Sequence, residues 1–214
     1  MAYFITFEGI EGCGKSTQVD ILSRELRAEI DRQVVATREP GGCPIADKIR
    51  AILLDADNRA LVPLAELLLY AAARAQHVEE VIRPALAEDK IVICDRFTDA
   101  TAAYQGFGRS LDLDLIGALG RLATGGLTPD LTVLLDCPEE VGLARAMARI
   151  NATLGAREER FEQESLRFHR AVREGYLSLA AAEPDRFVVI DGRLGIAEAA
   201  AAIRDAVLSR ISRG

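Results

Sequence analysis

One segment near the amino terminus constrains the fold more than any other feature of the chain. Residues 9–17 fit the pattern G-x-x-x-x-G-K-[ST], in which glycines let successive backbone N–H groups turn inward around phosphate oxygens. An apolar run at residues 3–7 precedes the segment and a helix-periodic stretch follows it, so the order is strand, loop and helix. We expect this loop, together with the partial positive charge of the helix N-terminus, to bind the phosphates of a nucleoside triphosphate. Its residues are Gly9, Ile10, Glu11, Gly12, Cys13, Gly14, Lys15, Ser16 and Thr17.

Two side chains complete the predicted phosphate site. The Lys15 ammonium reaches the β- and γ-phosphates as a point charge, and the Ser16 hydroxyl is a ligand for Mg²⁺. Lysine occurs at three positions of the chain, 15, 48 and 90, so a lysine at the motif position is informative. The sequence therefore predicts that a nucleoside triphosphate is bound together with Mg²⁺.

Short apolar runs recur along the chain with helical stretches between them. This alternation predicts an α/β fold, a doubly wound five-stranded parallel sheet with helices on both faces and ligands at the carboxyl ends of the strands. The predicted strands are residues 3–7, 33–37, 91–94, 131–135 and 187–190. After the first helix, we expect helices at about residues 45–54, 63–83, 98–106, 112–124, 138–150, 159–182 and 195–211.

Size and charge limit the possible partners. A chain of 214 residues fits one domain, and its net charge of −7 gives no field that attracts nucleic acid, so anionic ligands depend on local arginines. The N-terminus shows no basic region followed by an apolar stretch, and no run of 18 apolar residues occurs, so we expect no membrane association and a cytoplasmic location. The four cysteines are too scattered for a zinc or redox motif and are expected to be thiols.

Three of the predicted strands end in an aspartate, at positions 95, 136 and 191. A carboxylate at the end of a strand beside the phosphate loop can associate with Mg²⁺, and Asp95, followed by Arg96, is our candidate. Asp136 and Asp191 share the local pattern, so the pattern alone does not decide the assignment. Helix capping or turn formation is the other role open to such residues.

Further residues have the character of a nucleotide pocket. Arg38 precedes a Pro-Gly-Gly turn after the second strand, where it can clamp a phosphate or remain a solvated loop arginine. Tyr70 and Arg74 lie four apart on one predicted helix, which suits a base and a phosphate but equally a core tyrosine beside a surface arginine. A similar polar face is formed by Thr101, Tyr104 and Gln105.

The segment at about residues 145–160 has the character of a mobile lid. Its arginines flank a weakly structured connection at residues 150–156, and a lid of this kind can close over transferring phosphates and exclude water. The same arginines can instead solvate helix ends and pair with nearby glutamates. The arginines are Arg145, Arg149, Arg157 and Arg160, and the glutamates are Glu158, Glu159 and Glu162.

Together these motifs resemble the thymidylate kinase family, nearly from end to end. The matching segments are residues 7–17, 38–42, 70–77, 95–97, 103–106 and 160–162. The resemblance implies a single P-loop kinase domain at residues 1–214 that phosphorylates dTMP to dTDP with ATP and Mg²⁺. It also implies a homodimer, which agrees with the nearly all-apolar segment at residues 63–72.

The resemblance implies a role for each matching residue. The dTMP phosphate would be held by Arg38, Arg74 and Arg96. The base would be contacted by Tyr70 and Thr101, and the sugar by Tyr104 and Glu11. Arg149 would lie against the ATP adenine. Because Gly12 leaves the phosphate loop without its own arginine, the chain looks like the bacterial type that supplies arginines from the lid. The candidate catalytic residues are therefore Lys15, Arg96, Arg157 and Arg160.

Two other functions are compatible with parts of the sequence. A deoxynucleoside kinase would need a carboxylate base for its hydroxyl acceptor, with Glu11 as the candidate, whereas a phosphate acceptor needs none. A GTPase-like switch is suggested by a D-x-x-G match at residues 114–117, although this lies in a helical stretch and no N-K-x-D motif exists.

Overall fold

The predicted parallel sheet is present. The computed structural model describes residues 2–30, 32–152 and 160–211. Its strands are Tyr3–Glu8 (β1), Val34–Arg38 (β2), Ile91–Asp95 (β3), Leu131–Asp136 (β4) and Phe187–Asp191 (β5). They form one parallel sheet in the order β2-β3-β1-β4-β5. Each strand lies within one residue of its predicted bounds at either end, because apolar β-rich runs bounded by polar residues carry the signal.

Helices surround the sheet. They are Lys15–Glu29 (α1), Pro44–Leu54 (α2), Pro63–His77 (α3), Arg83–Ala87 (α4), Thr98–Thr101 (α5), Leu113–Thr124 (α6), Glu139–Ala152 (α7), Leu166–Ala182 (α8) and Ile196–Ile211 (α9). A π-helical segment, Val78–Ile82, joins α3 to α4, and another, Ala102–Gly108, follows α5. The helices predicted at 63–83 and 98–106 thus each contain a change of helix type that sequence periodicity does not show.

One predicted helix boundary is wrong. Residues 159–182 were expected to be helical throughout, but residues 160–164 form turns and a bend. The helix α8 begins only after Ser165, whose hydroxyl accepts a hydrogen bond from the backbone N–H of Phe168 at 3.2 Å. Such an N-cap satisfies an amide that the helix itself leaves without a partner, so it fixes where the helix starts.

Both faces of the sheet are buried. Ile5 belongs to a core cluster with Leu22 of α1, whereas Phe4, the preceding residue on β1, packs in another cluster with Val92 and with residues of Val78–Ile82. Successive side chains of a strand point to opposite faces. The strands are therefore apolar at almost every position, as expected for a parallel sheet covered on two sides.

The central strand places the phosphate loop at the point where the strand order reverses. β1 lies between β3 and β4, and its carboxyl end leads directly into residues 9–17. The loop after β3 is joined to this end, because Arg96 N donates to Phe7 O at 2.9 Å. The loop after β2 is joined to the end of β3, because Glu39 N donates to Asp95 O at 2.9 Å. Ligands of open α/β sheets bind in such a crevice.

Two glycines bring the phosphate loop against α7 without intervening side chains. Gly12 has a φ of +69°, and a Cβ atom added there would overlap the carbonyl group of Gly142 on α7. A Cβ atom added to Gly142 would in turn lie 2.5 Å from Glu11 O. The backbones of the loop and of the helix that leads towards residue 152 are therefore in direct contact.

Candidate active site

The backbone carbonyl groups of the phosphate loop bind the side chain of Lys15. The Lys15 ammonium donates to Gly9 O at 3.0 Å and to Ile10 O at 2.8 Å, and only 7% of the residue is exposed. Gly14, with a φ of +101°, immediately precedes α1, so the loop ends at the N-terminus of that helix. The positive charge of Lys15 and the positively polarised N-terminus of α1 therefore lie close together.

The three aspartates that end strands differ in their partners. Asp95 accepts a hydrogen bond from the Ser16 hydroxyl at 2.6 Å, which joins the end of β3 to the phosphate loop. Asp136 instead pairs with Arg173, and Asp191 pairs with Arg193. A carboxylate already occupied by a guanidinium is a poorer ligand for a cation, so this geometry favours Asp95 for the metal-associated role.

Arg96 connects the phosphate loop to two buried tyrosines. Its guanidinium donates to Gly9 O, to Glu11 Oε1 and to the hydroxyls of Tyr104 and Tyr176, at 3.0 to 3.1 Å. Its φ of +73° places the backbone in the left-handed region, which is uncommon for residues with a side chain. Strained backbone of this kind persists where the surroundings hold it, often in functional sites.

Glu11 is held as an anion. The Tyr104 hydroxyl donates to Glu11 Oε1 at 2.5 Å, and His169 Nδ1 lies 3.3 Å from Glu11 Oε2. Burial alone would raise the pKa of Glu11, but His169 and the charges of Arg96 and Lys15 lower it to about 2. A general base works best when its pKa lies near the operating pH, so this carboxylate is poorly suited to deprotonate a hydroxyl acceptor.

Arg74 is a buried residue of the cleft wall and not a surface arginine. Its Nε donates to Glu39 Oε2 at 2.7 Å and its Nη2 to Phe97 O at 2.9 Å, and 3% of its side chain is exposed. The other Glu39 oxygen lies 3.0 Å from His77 Nδ1. This buried trio fixes the guanidinium beside the cleft, with its charge balanced by Glu39.

The other predicted acceptor residues lie around the same space. The Tyr70 ring packs 6.5 Å from that of Phe161, and Gln105 Nε2 donates to Glu66 Oε1 at 2.7 Å. Thr101 Oγ1 is buried and has no hydrogen-bond partner among the described residues. A buried hydroxyl without a partner costs free energy, so a ligand with a complementary polar atom would satisfy it.

A single cleft of about 910 Å³ brings the two halves of the site together. Lys15 and Ser16 line it on the side of the phosphate loop, and Asp95 and Arg96 line it at the end of β3. Its remaining walls include the expected acceptor residues Arg38, Tyr70, Arg74, Thr101, Tyr104 and Gln105, together with Arg149. Arg38 is half-exposed and lies 3.3 Å from Asp47 Oδ1.

The predicted lid arginines are separated from one another. Arg145 donates to Gly192 O, and Arg149 lines the cleft with its Nη2 3.5 Å from Glu162 Oε1. Arg160 is buried, and its guanidinium donates to Leu53 O and to Glu66 Oε2, each at 2.6 Å. It does not line the cleft in this conformation. Arg157, Glu158 and Glu159 lie outside the described residues.

Sequence reasoning missed several residues that build the site. The sequence assigns no role to Glu39 or His77, and Glu66 is the only charged residue of the apolar segment at residues 63–72. All three are buried and bonded to arginine, threonine, glutamine or each other. A lone charged residue inside an apolar segment is the one signal that the sequence offers, because such a residue is buried only when paired.

The D-x-x-G match has no switch geometry. Asp114 and Gly117 both lie within α6, which begins at Leu113 and is capped by the Asp112 carboxylate.

Among the described residues, no helix is long and apolar enough to cross a membrane.

These elements define a class of enzyme. A strand, phosphate loop and helix carry Lys15, the Ser16–Asp95 contact lies beside it, and an arginine-rich pocket opens into the same cleft. This combination, at the carboxyl edge of a five-stranded parallel sheet, is that of a P-loop nucleoside monophosphate kinase.

Comparison with known proteins identifies the family. The family model described as thymidylate kinase matches residues 7–203. A thymidylate kinase of Geotalea uraniireducens is 65% identical over 214 residues, and one of Geobacter sulfurreducens is 66% identical over 213, each alignment covering 100% of both chains. The crystal structure of thymidylate kinase from Ehrlichia chaffeensis is 33% identical, with a TM-score of 0.77 over 97% of this chain and 98% of that one. The chain belongs to the thymidylate kinase family.

Proposed function

We propose that this enzyme transfers the γ-phosphoryl group of ATP to dTMP, giving dTDP and ADP. A phosphate oxygen of dTMP forms a bond to the γ-phosphorus, while the bond from that phosphorus to the β–γ bridging oxygen breaks. The observation that carries the proposal is the single cleft, in which Lys15 and Ser16 lie on one side and the acceptor residues on the other. Both nucleotides can therefore meet in one cleft.

The residues of the cleft supply charge and orientation. The dTMP phosphate is already a nucleophile, so the reaction needs alignment and charge neutralisation and no general base. Lys15, Arg38 and Arg96 line the cleft as cations that can hold phosphates on both sides of the transferring group. The low pKa of Glu11 agrees with this mechanism, and disfavours a deoxynucleoside kinase.

The residues beside the phosphate loop fit Mg²⁺. Ser16 Oγ and the Asp95 carboxylate are oxygen donors of the kind that Mg²⁺ prefers, and they lie within hydrogen-bond distance of each other. Mg²⁺ commonly keeps several waters and takes its remaining ligands from substrate phosphates, so two protein groups suffice. When bound, the ion would neutralise charge on the β- and γ-phosphates.

Sugar and base recognition involve the hydrogen-bonded residues around Glu11. The Glu11 carboxylate, fixed by Tyr104 and Arg96, suits a contact with the sugar 3′-hydroxyl, and Tyr104 is our candidate for the residue that excludes a 2′-hydroxyl. Tyr70 offers a ring face for the base. Thr101 Oγ1, buried without a partner among the described residues, suits a polar atom of thymine.

The segment at about residues 145–160 acts as a lid in this proposal. Arg149, which lines the cleft, would lie against adenine. Arg157 and Arg160 remain the candidates for stabilising the transferring group. Because Arg160 is paired with Glu66, it would have to leave that carboxylate to contact a phosphate. Arg157 is therefore the stronger candidate for this role.

Assembly and location complete the proposal. The exposed leucines Leu64 and Leu68 on α3, and Leu115 and Leu122 on α6, lie on two helices that pack together. A two-fold homodimer that covers them would bury apolar surface. Light scattering that gives the mass of one chain at micromolar concentration would contradict it.

The four cysteines are free thiols, which agrees with the cytoplasm as a reducing compartment.

The substrate proposal is tested by ADP release with ATP and Mg²⁺. The acceptors are dTMP, dUMP, dCMP, dGMP, AMP and thymidine, and we expect dTMP to give the highest kcat/KM. Turnover of AMP, dGMP or thymidine equal to that of dTMP would overturn the assignment.

A further inference from the structure

A buried carboxylate beside the acceptor pocket takes no part in the reaction described above. Glu66, on α3, has a side chain that is 1% exposed. Its Oε1 accepts from Gln105 Nε2 at 2.7 Å, its Oε2 accepts from Arg160 Nη2 at 2.6 Å, and the Arg109 guanidinium lies 3.4 Å from each oxygen. An ionised carboxylate accepts hydrogen bonds and donates none. Each group that faces Glu66 must therefore be a donor.

This requirement fixes the orientation of the Gln105 amide. A glutamine side chain has a donor end and an acceptor end, and rotation by half a turn exchanges them. With the amide reversed, the Gln105 carbonyl would face the Glu66 carboxylate as one buried acceptor against another, which is strongly disfavoured. Gln105 is almost fully buried and also lines the cleft. The Gln105 side-chain nitrogen donates to Glu66, so the carbonyl oxygen is the end of the amide that can accept a hydrogen bond from a ligand.

We propose that Glu66 is a positioning residue for base selectivity: by holding the Gln105 nitrogen, it presents Gln105 Oε1 as an acceptor for the N3–H group of a pyrimidine. The inference rests on the proposed dTMP kinase function and deepens it. Thymine and uracil carry a hydrogen on N3, whereas cytosine has a lone pair there. A fixed acceptor therefore favours dTMP and dUMP, and it repels dCMP.

The neighbouring cations do not substitute for this role. Arg109 and Arg160 pair with Glu66, but neither lines the cleft. A Glu66 that served only to join these arginines to α3 would support the fold and would affect all acceptors equally. Selectivity between bases, measured apart from total activity, separates the two roles.

The test is steady-state kinetics of Glu66→Gln with dTMP, dUMP and dCMP. The glutamine has nearly the same volume, but either end of its amide can face Gln105, so the orientation is no longer enforced. We expect kcat/KM to fall about tenfold or more for dTMP and dUMP, as for one lost buried hydrogen bond, and to fall less or rise for dCMP. The parallel behaviour of dUMP excludes the thymine methyl group as the cause.

Glu164→Gln is the matched control. Glu164 pairs with the same Arg109, at 2.6 Å, and is not in hydrogen-bond contact with Gln105. The change therefore removes one carboxylate charge from the same cluster of residues. We expect its ratio of kcat/KM between dTMP and dCMP to stay within about twofold of the parent, since rotation of Gln105 remains blocked.

Several outcomes would overturn the proposal. Equal losses for the three nucleotides in Glu66→Gln would leave Glu66 a structural residue only. If that variant does not fold, Glu66→Asp keeps the charge for the arginines and withdraws the acceptor from Gln105, and an unchanged ratio there would contradict the proposal. The unmodified enzyme gives a third test, because dCMP turnover within about threefold of dTMP excludes a fixed acceptor. Absence of dTMP turnover would instead overturn the proposed function.

Discussion

Replacing Arg160 by alanine removes a buried cation and leaves its partner behind. The Arg160 side chain is 9% exposed and that of Glu66 is 1% exposed, with 2.6 Å between Nη2 and Oε2. The same guanidinium donates to Leu53 O and lies 4.6 Å from the centre of the Phe161 ring. The variant therefore loses an ion pair, a hydrogen bond to the backbone and packing against an aromatic ring.

The magnitude follows from what remains around Glu66. Breaking a buried ion pair by removing one partner costs about 3–5 kcal/mol. Arg109 stays 3.4 Å from the carboxylate and offsets part of this cost, whereas the lost bond to Leu53 adds about 1 kcal/mol. We expect the free energy of unfolding to fall by about 3 kcal/mol. For a chain of this length, that corresponds to a Tm lower by about 6–12 °C.

Urea denaturation followed by far-UV circular dichroism measures this change. Arg193→Ala is the control, because the Arg193 side chain is 65% exposed and its partner, Asp191, is 40% exposed. Its loss is expected to change the free energy of unfolding by no more than about 0.5 kcal/mol. A loss below about 1 kcal/mol for Arg160→Ala would refute the reasoning, because a buried pair cannot be broken at so small a cost.

Three further results are expected. Lys15→Ala should lower kcat roughly 10²-fold or more without changing the fold, and activity within tenfold of the parent with ATP bound would contradict the role of the lysine. Arg157→Ala, which leaves the pair of Arg160 and Glu66 in place, should lower kcat by more than about tenfold with KM for dTMP nearly unchanged, because a group that acts only during transfer stabilises the transition state. A kcat within about threefold of the parent would exclude this role for Arg157. Burial and the charge of Asp99 raise the pKa of Glu8 from 4.5 to about 8, so the stability from its protonated form is complete below pH 4.5 and is lost as the pH rises through 8. Urea denaturation at pH 5 and pH 8 should show this loss in the parent and less of it in Glu8→Gln, and equal losses would exclude Glu8 as its source.

The sheet could be predicted because its signal is local. Buried parallel strands are apolar at nearly every position, so each run is visible without knowledge of its neighbours. The order of the strands, and the differences among the three aspartates that end strands, depend instead on contacts between residues far apart in the sequence. Asp95, Asp136 and Asp191 look alike in the sequence, and they are distinguished only by Ser16 in one case and by arginines in the others.

The polar interior of the site could not be predicted for the same reason. Glu39 contacts Arg74 and His77, which follow it by 35 and 38 positions, and Glu66 contacts Arg160, 94 positions away. No periodicity links such positions. The wrong helix start has a related cause, since Arg160 and Phe161 are buried by tertiary contacts that override the helical tendency of residues 160–165.

The contact between Gly12 and Gly142 has a consequence for how this enzyme can evolve. Any side chain at position 12 would collide with the Gly142 carbonyl and adopt an unfavourable φ. A single mutation to arginine there would damage the phosphate loop. The backbone of α7 therefore keeps position 12 a glycine, and an arginine could enter the loop there only after α7 had moved away.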